Sequence, residues 1–179
     1  LQKERGASAV FIGSNGAQMS AELATQQRDT DAALKMFNDF QESFDADDYS
    51  DELDNHLSRV KQMLTDLNSK RTSINSFSIS KSECVKYFST MNALIVNTFE
   101  DAVLLAKHEE LLLPTNALVS LIAAKEFAGV ERAVMAGICA SNKPIDTEAF
   151  EKWMTVWKGQ SVLLSNFVHQ SNEDVRNYY

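Results

Sequence analysis

The sequence predicts an all-α domain built as an up-and-down antiparallel helical bundle, and three observations predict it. Only two prolines and six glycines occur in 179 residues, too few breakers for a strand-and-turn architecture. Apolar residues recur at three- and four-residue intervals over long stretches, the period of a helix face. The polar breaks between those stretches are short, and helices joined by short turns pack antiparallel. At 1.5 Å of rise per residue, helices of roughly 25 residues span about 37 Å.

The first helix is expected to run to about Ile12, where Gly13-Ser14-Asn15-Gly16 supplies residues that tolerate positive φ. Ala17 or Ser20 opens a long second helix through Phe44, with Leu23, Leu34, Phe37, Phe40 and Phe44 as its apolar stripe. A third, amphipathic helix carries Leu53, Leu57, Val60, Met63, Leu64, Leu67 and Ile74. Ser80 and Glu83 have the spacing of a capping box and start a fourth helix with Val85, Phe88, Met91, Ile95, Phe99 and Val103. The polar run Lys107-His108-Glu109-Glu110 ends it, and Pro114, tolerated in a first turn, helps start a fifth. That helix stops near Ser141-Asn142-Lys143-Pro144. Asp146 caps a sixth through Phe167, and Ser171 with Asp174 marks a short last one.

The composition bounds function by what it excludes. A net charge of −8 with no basic stripe argues against nucleic acid as a partner. No serine sits in a nucleophile elbow and no glycine-rich loop follows a strand, so the chain offers no catalytic residues and does not read as an enzyme. His56, His108 and His169 are scattered without metal-ligand spacing. The acidic stretch Asp45 to Asp54 lacks the ligand spacing and central glycine of a calcium loop and is read as a solvated loop and helix N-terminus. Neither a metal nor a cofactor is therefore expected. The richest apolar stretch, Leu111 to Ala124, is interrupted by Pro114, Thr115, Asn116 and Ser120, short of an uninterrupted membrane span. Beginning at Leu1 within helical sequence and without methionine, residues 1–179 read as a single domain excised from a longer protein.

Two short elements share a pattern. In Lys125-Glu-Phe-Ala-Gly-Val-Glu-Arg-Ala-Val-Met-Ala-Gly137, Arg132 has Ala128, Gly129, Ala136 and Cys139 on its own helix face. In Leu1-Gln-Lys-Glu-Arg-Gly-Ala-Ser-Ala, Arg5 follows Glu4 and precedes Gly6, with Ser8 and Ala9 one turn later. Small residues let a second helix come close. A guanidinium rooted on such a face would lie between helices, satisfied by a carboxylate, by carbonyls or by a bound anion. The plainer reading is an interhelical salt bridge, each arginine pairing with the other element's glutamate. Arg28 and Arg71 could add positive potential, although Arg28 beside Asp29 and Asp31 is more simply a surface or structural pair.

Leu1–Ser8 and Ala124–Ala136 resemble the two signature segments of the bacterial nitrate- and nitrite-sensing (NIT) family. The resemblance extends to Gln27-Arg-Asp-Thr-Asp-Ala-Ala-Leu34, to the Tyr87 region and to Gln160 through Phe167, and so covers nearly the whole chain. It implies two stacked four-helix bundles sharing long helices. It implies further that Arg5 and Arg132 project into one interhelical pocket and clamp nitrate or nitrite, whose planar oxygens match the forked guanidinium donors. Such domains occur in membrane chemoreceptors, sensor kinases and cyclases, and in cytoplasmic antitermination regulators. The expectation favoured here is a homodimeric methyl-accepting chemotaxis receptor, with this domain periplasmic and a cytoplasmic signalling module beyond the membrane. The alternatives are a helical structural or interaction module, the same fold with another small anion, and a cytoplasmic regulatory domain. Cys84 and Cys139 fall at similar height if the fourth and fifth helices form a hairpin, which makes a disulfide geometrically possible.

Overall fold

The computed structural model describes residues 1–44, 49–105, 109–141 and 144–178, with the side chains at 109, 110, 136, 137 and 139–141 outside that set. The acidic run 45–48, His108 and the Cys139 side chain, and with it the Cys84–Cys139 pairing, lie outside the described residues. Among the described residues the regular structure is entirely helical. The helices are α1 (Gln2–Gly13), α2 (Ser20–Gln41), α3 (Asp51–Thr65), α4 (Leu67–Asn75), α5 (Lys81–Leu104), α6 (Glu109–Ser141), α7 (Thr147–Gln170) and α8 (Glu173–Tyr178). The chain divides into two compact units, Leu1–Thr98 and Phe99–Tyr179, with α5 running from the first into the second.

In unit 1 the core is assembled from four directions. Ala7 of α1, Leu23 of α2, Leu67 and Ile74 of α4, and Cys84, Phe88 and Met91 of α5 form one buried cluster, flanked by Met63 and Leu64 of α3. The spacing of Cys84, Phe88 and Met91 is that of one helix stripe. Ser50 caps α3 by accepting from the Leu53 N–H at 3.1 Å. The Ser80–Glu83 capping box forms as expected, with the Glu83 N–H on Ser80 Oγ at 3.2 Å and the Ser80 N–H on Glu83 Oε2 at 3.0 Å. The Ser80 hydroxyl and backbone N–H hold the Glu83 carboxyl below its ordinary pKa.

At one end of unit 1 the turns are fixed by unusual backbone. Asn15, Gly16 and Met19 between α1 and α2, and Phe77 between α4 and α5, have positive φ. Phe11 stacks on Phe77 with ring centroids 5.2 Å apart. A Cβ on Gly16 would come within 3.0 Å of the Phe77 ring, so glycine serves both the +80° φ and the contact.

In unit 2, α6 and α7 pack along one another. Gly159 of α7 lies directly against the Phe127 ring of α6. Asp146 caps α7 by accepting from the Ala149 N–H at 2.8 Å. Over Leu111–Met135, α6 is long and apolar enough to cross a membrane by length and composition alone. That run also carries Lys125, Glu126, Glu131 and Arg132 and packs on α7.

Several boundaries differ from expectation. The third expected helix is two, α3 and α4, parted at Asp66, where the backbone turns without glycine or proline. Helix α2 ends at Gln41 rather than Phe44, and Phe40 of its expected stripe is 53 % exposed, stacked instead on Phe44. Helix α6 begins at Glu109, which places Pro114 within the helix rather than in its first turn. Helix α7 continues to Gln170, and the Ser171 hydroxyl bonds back to the Phe167 carbonyl, leaving Asn172 to receive the Val175 N–H at the start of α8.

Candidate functional site

The charged cluster of unit 1 is centred on Arg71 of α4. Its Nε donates to Glu4 Oε1 at 2.7 Å and its Nη2 to Glu4 Oε2 at 3.1 Å, a bidentate pair joining α4 to α1. Nη1 donates to Asp31 Oδ1 and Nη2 also to the Gln27 carbonyl, both on α2. Glu4 is fully buried and Arg71 is 8 % exposed. Burial opposes the Arg71 charge, but the hydrogen bonds and attraction of Glu4 and Asp31 outweigh it and raise the guanidinium above its ordinary pKa. The positive potential that Arg71 was expected to supply is thus neutralised inside the bundle. Arg28 is exposed and donates to Thr25 Oγ1 at 3.1 Å.

Next to this cluster, Arg5 is 6 % exposed and donates from Nη1 to Ser89 Oγ of α5 at 2.9 Å. Ser8, one turn on, is fully buried beside the Cys84 thiol. Burial raises Cys84 to about 11, the Ser8 hydroxyl partly offsets this, and Glu4 adds to it. Even so, Ser8 Oγ has no hydrogen-bond partner of full geometry. Asn92, on the Ser89 face of α5, is also buried.

Tyr87 donates its hydroxyl to the Met63 carbonyl at 2.7 Å and is pushed up to about 12 by burial, Asp66 and Glu4, against the pull of Arg71. Tyr87 and Cys84 both have folded pKa values above their ordinary 10.0 and 9.0. Their contribution to stability is therefore complete below about pH 9 and is lost as pH rises through the folded values. Denaturation midpoints for unit 1 are expected to fall between about pH 9 and 12, less steeply in Tyr87→Phe. A cavity of about 420 Å³ lies on the Tyr87 side, between Met63, Lys70, Lys86 and Tyr87, and does not include Arg5.

In unit 2, Arg132 is exposed on α6 rather than half-buried between helices. Its neighbour Glu131 accepts from Trp153 Nε1 of α7 at 3.0 Å. The reason lies in the helix phase. Ala117 and Ala124 are buried and Glu131 continues them at the same seven-residue step, so Arg132 falls about 100° off that stripe. Glu4 gives both oxygens to Arg71, and Glu131 receives the indole N–H.

Sequence reasoning missed Arg71 as the hub, although a signal was present. Leu67, Arg71 and Ile74 share one helical face, and the two apolar members are buried.

The chain is thus an all-α helical module whose first unit holds a buried charged cluster. Among the described residues no three His, Cys, Asp or Glu side chains converge as metal ligands. The chain belongs to the nitrate and nitrite sensing (NIT) family, which matches residues 1–179. The role described for the family is sensing. Among solved structures it is similar to the NasR transcription antiterminator, with a TM-score of 0.87 and 24 % identity over 97 % of this chain. The chain spans about half of that protein, 47 % of its length. A comparison with curated proteins finds no significant match.

Proposed function

We propose that this domain binds nitrate or nitrite through Arg5 and Arg132 and reports the ion by a change in helix packing. The observation that carries the reading is Arg5, buried on α1 in the family's first signature segment and donating a guanidinium N–H to Ser89 Oγ inside the bundle. A buried guanidinium is planar, permanently charged and rich in donors, which suits a small planar oxyanion. The family description supplies the identity of the ion. Arg132 supports the reading by its place in the second signature segment, with its guanidinium exposed and Glu131 engaged by Trp153. To act as a signal the ion must bind two helix arrangements with different affinity, and a coupling of about 1–3 kcal/mol is usual for such devices.

The host favoured by the sequence resemblance is a homodimeric chemotaxis receptor, with this domain outside the cytoplasmic membrane and a signalling module within. A second reading has an observation of its own: the similar solved structure is a transcription antiterminator. In that reading the domain regulates a transcription-controlling protein in the cytoplasm and the ligand chemistry is unchanged.

Calorimetric titration with nitrate and nitrite, with chloride and sulfate as controls, tests the anion reading. Selective heat from nitrate or nitrite is expected, abolished by Arg5→Ala and by Arg132→Ala in proteins that remain helical by circular dichroism. If neither ion gives heat and both variants only melt earlier, the arginines are structural and the domain is a helical interaction module. Binding of a different small anion at the same arginines would keep the site and change its ligand.

A further inference from the structure

Several hydroxyls inside these helices have an easy partner. Thr25, Ser73, Thr155 and Ser161 each bond back to the carbonyl four residues earlier. Ser8 does not. It is fully buried, and its hydroxyl meets no partner of full geometry. A buried hydroxyl whose nearest polar neighbour is the weakly accepting Cys84 sulfur is destabilising, and alanine at the same helical position would remove the group and improve helix propensity. A buried polar atom left in that condition calls for a physical explanation.

The surroundings supply one. Ser8 faces α5 at Cys84, and Arg5, three residues earlier on α1, reaches α5 at Ser89. Two donors, one charged and one neutral, therefore face the same neighbouring helix within a single turn of α1. Resting on the reading of this domain as an anion sensor, we infer that the Ser8 hydroxyl is a second donor to the ion that Arg5 anchors. A nitrate or nitrite ion in the α1–α5 seam accepts from the Arg5 guanidinium through one oxygen and from Ser8 Oγ through another. It thereby gives the hydroxyl the well-aligned acceptor that the Cys84 sulfur does not provide. Ser8 then makes the site specific for an ion with more than one acceptor oxygen and small enough for the seam.

The test is to titrate the unsubstituted domain, Ser8→Ala and Ser8→Cys with nitrate and nitrite, and to record melting of each protein with and without the ions. Ser8→Ala is expected to melt higher than the parent when ligand-free and to bind at least about tenfold more weakly, as loss of one hydrogen bond to a charged group implies. Ser8→Cys, a weaker donor of similar size, is expected to fall between them. Parent-like affinity in Ser8→Ala overturns the assignment while leaving the sensor reading intact, and so does a ligand-free Ser8→Ala that fails to fold, because the hydroxyl would then serve packing. Absence of any response to either ion from the unsubstituted domain overturns the sensor reading and this assignment together.

Discussion

Replacing Arg71 by methionine is expected to destabilise unit 1 by about 3–5 kcal/mol, the range for removing one partner of a buried ion pair. The mechanism is the stranding of Glu4. That carboxylate is fully buried and both of its oxygens are bonded to Arg71, so methionine fills the space while leaving the charge without compensation. Asp31 matters less, because its side chain is 57 % exposed and water can take over its solvation. The double variant Arg71→Met with Glu4→Gln is expected to recover most of the loss, since it removes both charges together. Urea denaturation followed by circular dichroism measures this. Trp153 and Trp157 both lie in α7, so tryptophan fluorescence recorded alongside reports on unit 2 separately. A loss below about 1 kcal/mol in Arg71→Met, the level of a surface pair, would mean that the Glu4–Arg71 pair does not hold α1 to α4.

A second large effect is expected at Gly159. Glycine inside a helix ordinarily gains about 1 kcal/mol on becoming alanine. At Gly159 the added Cβ would lie 2.4 Å from Cε1 of Phe127 and 2.9 Å from its Cδ1, so ring or helix must shift. Overpacking of this kind typically costs about 1–3 kcal/mol, enough to exceed the propensity gain. Gly159→Ala is therefore expected to lower the fluorescence-detected midpoint of unit 2, and Gly159→Val to lower it further. Gly6 provides the control. A Cβ there meets nothing within 4 Å, so Gly6→Ala should raise the stability of unit 1 by roughly 0.5–1 kcal/mol. Stabilisation by both substitutions would show that the α6–α7 seam yields at no cost.

The helices were legible because their signal is dense and local. Caps such as Ser80–Glu83 and Asp146 sit within three residues of the groups they satisfy, and both formed where the sequence placed them. The break at Asp66 was not legible, because it uses neither glycine nor proline and amphipathic spacing continues through it. At the candidate site the limit is distance along the chain. Glu4 and Arg71 are 67 residues apart, and only packing decides that Glu4 meets Arg71 rather than a residue of the other Glu-Arg element. The small-residue face around Arg132 was visible, but which stripe of α6 turns inward depends on α7. The seam through Ala117 and Ala124 leaves Arg132 to one side. Ser8 was noted only as a small residue, since nothing in a sequence marks a hydroxyl as lacking a well-aligned acceptor.

The stacked Phe11 and Phe77, with Gly16 pressed against the same ring, hold the C-terminal turn of α1. Glu4 is held by the Arg71 fork, so the helix is fastened near both ends. Glu4 and Gly13 are nine residues apart, about 13 Å of axis. With two anchors that far apart, tilting α1 about either one strains the other.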